Sequence, residues 1–390
     1  MSIRGAFVPS LREQAIATMI PFPWLPDHVA TINPDAMAVA PGFTAAVVPD
    51  VLPGFEVWDH WPVLTTAGAL AESAGGLLVI ALVAPASPDP EDRHGVARLR
   101  LFHRTQAGWR DLGPVFREDD APGSRQWSGS AVLSDSADAV RLFFTGVGMR
   151  GEHFPSVTQR LFEASASLSV IDDTPQLGAW STPVECVRPD GVYYETDMTG
   201  GGAIGTIKAF RDPFFFRDCG GEDWLLFTAS DASAVSPWNG IVGAARRGDG
   251  GWLLQPPIVS AAGLNNELER PHVVAHSGSV YLFWSTQAKV FAPAGPVGPT
   301  GLYGLVAERW GAPWRPINGS GLVFANPPSA PLQAYSFQVL PDLSVWSFAD
   351  MPKRREPPQG VGERRAAFVG GPAPVLHLLL DGATARLAQR

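Results

Sequence analysis

Three acidic side chains sit where an ionised group is hard to accommodate. Asp59 lies in VWDHWPV (57–63), between Trp58 and Trp61. Asp212 lies in FRDPFFF (210–216), after Arg211 and ahead of Pro213 and three phenylalanines. Glu269 lies in ELERPHVV (267–274), two residues after Glu267 and next to Arg270. A carboxylate in apolar surroundings is costly unless it is paired or put to use. In an extended segment residues two apart share a face, so Glu267 and Glu269 point the same way, and two adjacent carboxylates push one pKa up. Acid/base chemistry needs that: one carboxyl kept neutral to give a proton, another kept ionised. Any one of these acids alone fits a buried salt bridge. Three on different repeats, with tryptophans nearby, fit the cleavage of a glycosidic bond.

The elements that position them are short and strand-like. The runs LLVIAL (77–82), RLFFTG (141–146), WLLFTA (224–229), YLFWST (281–286) and VWSFAD (345–350) recur along the chain. Most follow a polar turn and an earlier strand-like segment, as in SAVLSDSADAVRLFFTG and PHVVAHSGSVYLFWST. Repeated small sheets predict an all-β fold, a five-bladed β-propeller whose inner strands face one axial pocket. The pattern alone also accommodates a pair of sandwiches. Residues 1–40, with a helix-compatible piece around SLREQAIATM, read as a lead-in packed on the outside, and residues 41–390 as one propeller domain.

Bulk composition narrows the class. Of 390 residues 45% are hydrophobic and 17% charged, with 41 Gly and 37 Pro, which suits short strands joined by turns. The net charge is −9 with no long basic run, so nucleic acid is excluded as a partner. No window reaches the length of a membrane span. The N-terminal apolar patch is broken by Pro21, Pro23 and Pro26, so a cytoplasmic location or export without a cleaved signal is expected. Cys186 and Cys219 cannot build a four-ligand zinc site and read as free thiols.

Some motif matches carry no chemistry. GGGAIG (200–205) fits a dinucleotide fingerprint by letter but precedes β-formers instead of a helix. His272 and His276 are four apart in a strand pattern, which makes no metal-binding face. The NGS triplet at 318–320 has no secretory context.

VWDHWPV, WSGSAVL, FRDPFFF, ELERPHVV and AYSFQVLPD, in that order, resemble the successive motifs of glycoside hydrolase family 68, the levansucrases, inulosucrases and related β-fructofuranosidases. The resemblance runs from about residue 57 to 350 and implies a five-bladed propeller acting on sucrose by a retaining mechanism. It implies Asp59 as nucleophile, Glu269 as acid/base and Asp212 as stabiliser of the transition state. Around the sugar it implies Trp58 and Trp127 as walls, Ser128 holding the nucleophile, and Arg211, Glu267, Arg270, Tyr335 and Gln287 as binding residues. Core packing is the competing role for both tryptophans, a turn position for Ser128, and support of a neighbouring carboxylate for Arg270. Sucrose and fructosyl acceptors are the implied partners, with no cofactor.

The chain departs from the family pattern in places. His60 follows the nucleophile position where Thr or Ser is common, and Phe337 stands where many relatives carry His. Gln287 and Ala288 occupy a place that often carries Arg or His in polymer-forming relatives. That change favours hydrolysis and short fructooligosaccharides over long levan. Asn266 precedes Glu267 where calcium-binding relatives tend to have Asp, so no structural calcium is expected. The alternatives are an inverting propeller glycosidase on arabinose or xylose polymers, and a sugar-binding propeller without catalysis.

Overall fold

Each of the five apolar runs becomes the second strand of a four-stranded blade. The computed structural model, which describes residues 20–117, 120–198 and 207–389, is an all-β, five-bladed β-propeller. The innermost strands are Phe55–Thr65, Arg125–Leu133, Phe210–Arg217, Glu269–His276 and Ala334–Val339. The second strands are Gly76–Pro85, Ala139–Val147, Asp223–Ser230, Ser279–Thr286 and Ser344–Ala349. A second strand is paired on both edges and covered by neighbouring blades on both faces. That is why its sequence is a continuous apolar run and not an alternating one. In the fourth blade Tyr281, Leu282, Phe283 and Trp284 are all fully buried.

The inner strands run side by side around the axis. Those of the first two blades pair directly and in parallel, with Val63, Leu64 and Thr65 opposite Ala131, Val132 and Leu133. SLREQAIATM and GGGAIG lie outside the described residues. The described part of the lead-in runs along the outside of the ring. Phe22 and Pro23 pair in parallel with Val259 and Ser260, on the outer strand of the third blade. Trp24 is fully buried against Trp284, Phe291 and Tyr303, and its indole N–H donates to the Ser320 carbonyl at 3.0 Å. A short helix follows at Pro26–Ala30, and Val39 then bridges to Ala325 in the fourth blade.

The fifth blade takes its four strands from the C-terminal end of the chain, so among the described residues no strand is shared to lock the ring. Closure falls to the segment after Ala349. The Gly371 N–H donates to the Val57 carbonyl at 2.5 Å. From the helix Val361–Ala367, Arg365 pairs with Glu56 and Arg364 with Asp89, both acids of the first blade. Cys186 and Cys219 are free thiols. No helix among the described residues is long and apolar enough to cross a membrane.

Candidate active site

All five inner strands lose register at the same level. The ladder breaks between Val57 and His60, Trp127 and Gly129, Arg211 and Phe214, Glu269 and His272, and Tyr335 and Gln338. A β-bulge bends the strand and re-aims its side chains. Here each break falls on a residue singled out by the sequence or on its immediate neighbour. Asp212, Arg270 and Ser336 take φ of +60°, +50° and +61°. Left-handed backbone at such residues costs roughly 1–2 kcal/mol each. Pro213 and Pro271 occupy the bulge positions that follow two of them. Having no N–H, they leave no ladder donor unpaired. Gly129 has a similar reason: a Cβ there would run into the backbone of Phe143 and Phe144.

Hydroxyls from neighbouring blades hold these bulges. Thr145 in the second blade accepts from the Asp212 N–H at 2.9 Å and donates to the Ser128 carbonyl at 3.0 Å. Thr228 in the third blade accepts from the Arg270 N–H at 3.2 Å and donates to Asp212 Oδ2 at 3.0 Å. Ser285 in the fourth blade accepts from the Phe337 N–H at 2.8 Å. These three residues pair with Trp127, Arg211 and Glu269, each the last residue before a bulge. The strain at each blade is thus offset by a hydrogen bond from the one before it.

The acids converge on this level. Asp59 accepts a hydrogen bond from the Ser128 hydroxyl. The buried guanidinium of Arg211 donates to Glu269 Oε1 at 2.9 Å, with Glu267 Oε1 at 3.6 Å and Asp212 Oδ2 at 3.7 Å. Tyr335 donates to the other oxygen of Glu269, and Gln287 hydrogen-bonds the tyrosine in turn. Glu267 precedes the strand instead of lying in it. Its N–H donates to Asn265 Oδ1 at 2.8 Å, and the Asn265 amide is held by Thr286 at 2.9 Å. Leu268 turns into the core, so both glutamates still face Arg211.

Two of these carboxyls hold their protons far above the ordinary range. Burial, reinforced by the charge of Glu269, carries Glu267 up to about 7. Its side chain is more enclosed than that of Glu269, 9% against 18% exposed, so the desolvation falls on it. Burial also raises Asp212 to about 6, Arg211 opposing and Glu269 and Asp59 adding to the shift. The cluster therefore offers carboxyls with raised proton affinity, Glu267 most of all, beside others tied to fixed donors.

The remaining predicted residues divide between pocket and support. Trp58 is buried in the core of the first blade with the Arg93 guanidinium 5.8 Å over its ring. Trp127 is only partly buried, and its indole N–H donates to the His94 carbonyl at 3.1 Å. Arg270 is consumed by the protein: it donates to Ser336 Oγ at 2.8 Å, Gln338 Oε1 at 2.9 Å and the His60 carbonyl at 3.3 Å. Burial and then Arg270 lower His60 to about 3, so it is neutral, with Nδ1 3.1 Å from the Trp58 carbonyl. His272 is likewise neutral, lowered by burial to about 3. Its Nδ1 donates to the Arg270 carbonyl and its Nε2 accepts from the Val339 N–H, tying the fourth inner strand to the fifth. Beyond the bulges the axis narrows to a cavity of about 10 Å³ lined by Asp212, Arg270, His272 and Gln338, room for about one water.

Sequence reasoning missed Thr145, Thr228, Ser285 and Gln159, whose amide oxygen accepts from Arg211 at 3.3 Å. A signal was present for three of them: RLFFTG, WLLFTA and YLFWST each carry a hydroxyl near the end of an otherwise apolar run. No group of three or more His, Cys, Asp and Glu suited to a metal occurs among the described residues. The Asn266 amide is spent on the Ile207 carbonyl at 3.0 Å.

Comparison with known proteins shows the family. A family model described as Levansucrase/Invertase matches residues 25–239 and 230–386. The chain resembles the inulosucrase from Halalkalicoccus jeotgali, solved bound to kestose, with a TM-score of 0.85, 34% identity, and 94% of this chain and 95% of that one covered. It is 30% identical over 401 residues to levansucrase LscA of Pseudomonas savastanoi pv. glycinea, covering 89% of this chain and 91% of the relative. The full-length β-fructofuranosidase from Microbacterium saccharophilum K-1 shares the fold, with a TM-score of 0.81 at 24% identity, covering 95% of this chain and 83% of that one.

Proposed function

The chain belongs to the levansucrase/invertase family, and from that premise we propose that it is a retaining fructosyltransferase and β-fructofuranosidase that uses sucrose as donor. The observation that carries the reading is the pairing of differently held acids: Asp59 fixed by the Ser128 hydroxyl, and Glu269 fixed between Arg211 and Tyr335. The Asp59 carboxylate attacks C2 of the fructosyl unit while the bond from C2 to the glucosyl oxygen breaks. Glu269 gives its proton to that departing oxygen, and a fructosyl ester on Asp59 remains. Water or a sugar hydroxyl then attacks C2, Glu269 takes its proton, and the Asp59 carboxylate is released. Asp212 grips fructose hydroxyls as positive charge builds on the ring. Such a pair works with its carboxyls about 5–5.5 Å apart.

Gln287 and Ala288, in place of an Arg or His, leave the second-sugar side with less positive charge. This supports hydrolysis and short fructooligosaccharides as the main outcome. The test is incubation with sucrose alone, following free glucose and free fructose over time. Equal release is expected if hydrolysis dominates, and glucose in excess if fructose passes to an acceptor. Release of neither sugar overturns the reading.

A further inference from the structure

Gln159 is buried at the start of the third strand of the second blade, Gln159–Ile171, and its side chain reaches across to the inner strand of the third. Its amide is spent completely. Nε2 donates to the Val157 carbonyl at 3.0 Å and to the Lys208 carbonyl at 2.8 Å. Oε1 accepts from the Phe210 N–H at 3.1 Å and from Arg211 Nη1 at 3.3 Å. Two carbonyls at one end and two donors at the other leave the amide a single orientation, with its oxygen toward Arg211.

Arg211 needs such a partner. Its other nitrogens face acids: Nη2 lies 2.9 Å from Glu269 Oε1 and 3.6 Å from Glu267 Oε1, and Nε lies 3.7 Å from Asp212 Oδ2. In a retaining cycle Glu269 changes charge twice, once as acid and once as base. A buried guanidinium held by carboxylates alone follows whichever of them is ionised, because attraction at such short range is strong away from water. Of the two side chains that hydrogen-bond Arg211 among the described residues, Glu269 and Gln159, only Gln159 is uncharged at every pH. It can hold the guanidinium without competing for its charge. Glu269 also feels Glu267 of its own blade, Asp212 of the third, Tyr335 of the fifth and Arg270, while Arg211 is felt by His94 of the first.

Resting on the fructosyl-transfer reading, we propose that Gln159 is a positioning residue for the acid/base step, anchoring the Arg211 guanidinium so that Glu269 loses and regains its proton against a fixed positive charge. It acts through Arg211 and carries no proton itself.

The test uses the full chain and two variants, read by the pH profile of kcat/KM for sucrose. Gln159→Met removes the anchor and lets Arg211 turn onto Glu269, which favours the ionised acid. The alkaline limb should move down by about half a pH unit, and kcat should fall about tenfold with KM changed less. Gln159→Glu keeps the shape and sets a carboxylate against Arg211, so the same limb should move up by about as much. Opposite shifts mark an anchor on Arg211, since a loss of packing alone lowers activity in both variants and leaves the limb where it was. A limb that stays in place in either variant, or moves the same way in both, overturns the proposal. If Gln159→Met does not fold, an unmoved limb in Gln159→Glu overturns it. A wild type that releases neither sugar from sucrose defeats the functional reading, and crystal structures of the variants then decide this one. The guanidinium is expected to shift toward Glu269 in Gln159→Met and toward residue 159 in Gln159→Glu, and one that stays in place overturns the proposal.

Discussion

Two halves of the ring are built on different physics. From the second blade to the fifth, the hydroxyls of Thr145, Thr228 and Ser285 pin the next bulge. Where the fifth blade meets the first, the corresponding residue is Phe348, paired with Tyr335, and it has no hydroxyl. That seam relies instead on the Gly371–Val57 backbone bond and on the Arg365–Glu56 and Arg364–Asp89 pairs. Short, buried, neutral hydrogen bonds fix position closely. Long charged side chains at a partly exposed seam fix it less, because they carry more rotamer freedom and are screened. The half that holds Asp212, Glu267 and Glu269 is thus the rigid one, and the seam between the fifth and first blades is the adaptable one. Bond-breaking draws on both, since Asp59 lies on the first-blade bulge beside the seam and is held there by the Ser128 hydroxyl of the second blade.

The comparison can be broken most sharply at the rigid half. Glu269→Gln should lower sucrose kcat about 10³-fold or more while sucrose binding changes little, the loss expected for a general acid/base. Kinetics and calorimetry on the same preparation check it, and retained turnover would sink the assignment. Thr228→Val comes next. It removes one of two partners from Asp212 Oδ2 and from the Arg270 N–H, which keep only their mutual bond of 3.3 Å, so it should cost about 1–2 kcal/mol of stability by denaturant unfolding. It should lower kcat more than it raises KM.

At the adaptable half the expected effects are smaller. Arg365→Met strips a partner from Glu56, a buried carboxylate that burial already pushes above its ordinary pKa. About 1–2 kcal/mol of stability should be lost, discounted because Arg365 is partly exposed, with the product ratio changing more than kcat. An equal fall in kcat for Arg365→Met and Thr228→Val would erase the distinction between the halves.

The smallest effect is a pH dependence. Glu267 binds its proton more tightly folded than unfolded, so its contribution is whole below the ordinary range, near 4.5, and is lost as pH rises through about 7. Glu267→Gln should therefore match the wild type in Tm near pH 4.5 and exceed it by a few degrees above pH 7. Thermal unfolding at both pH values checks it.

Much of the architecture was legible because burial writes itself into composition. A strand covered on both faces must be apolar throughout, so five such runs marked five blades, and each motif fell on the strand just before or beside one. That His272 and His276 lie on a strand was also legible, since the pattern around them is that of a strand and not of a helix. Roles within the pocket were less so. Trp58 and Trp127 look alike in sequence and both lie at a bulge, yet one is buried in the core and the other only partly buried. Nothing in ELER indicated that Glu267 would take the raised pKa, since enclosure depends on residues far along the chain.

The sequence by itself determined the number of blades, the placement of acids ahead of prolines and aromatics, and the small hydroxyls that end three of the runs. These are local matters of periodicity, backbone restriction and side-chain size. Only the tertiary structure decided that Arg211 would serve three carboxylates, that Thr228 would reach the Arg270 backbone 42 residues away, and that Asp350 would be left with an oxygen unpaired. Convergence on an axis is a property of the closed ring, and no stretch of the chain contains it.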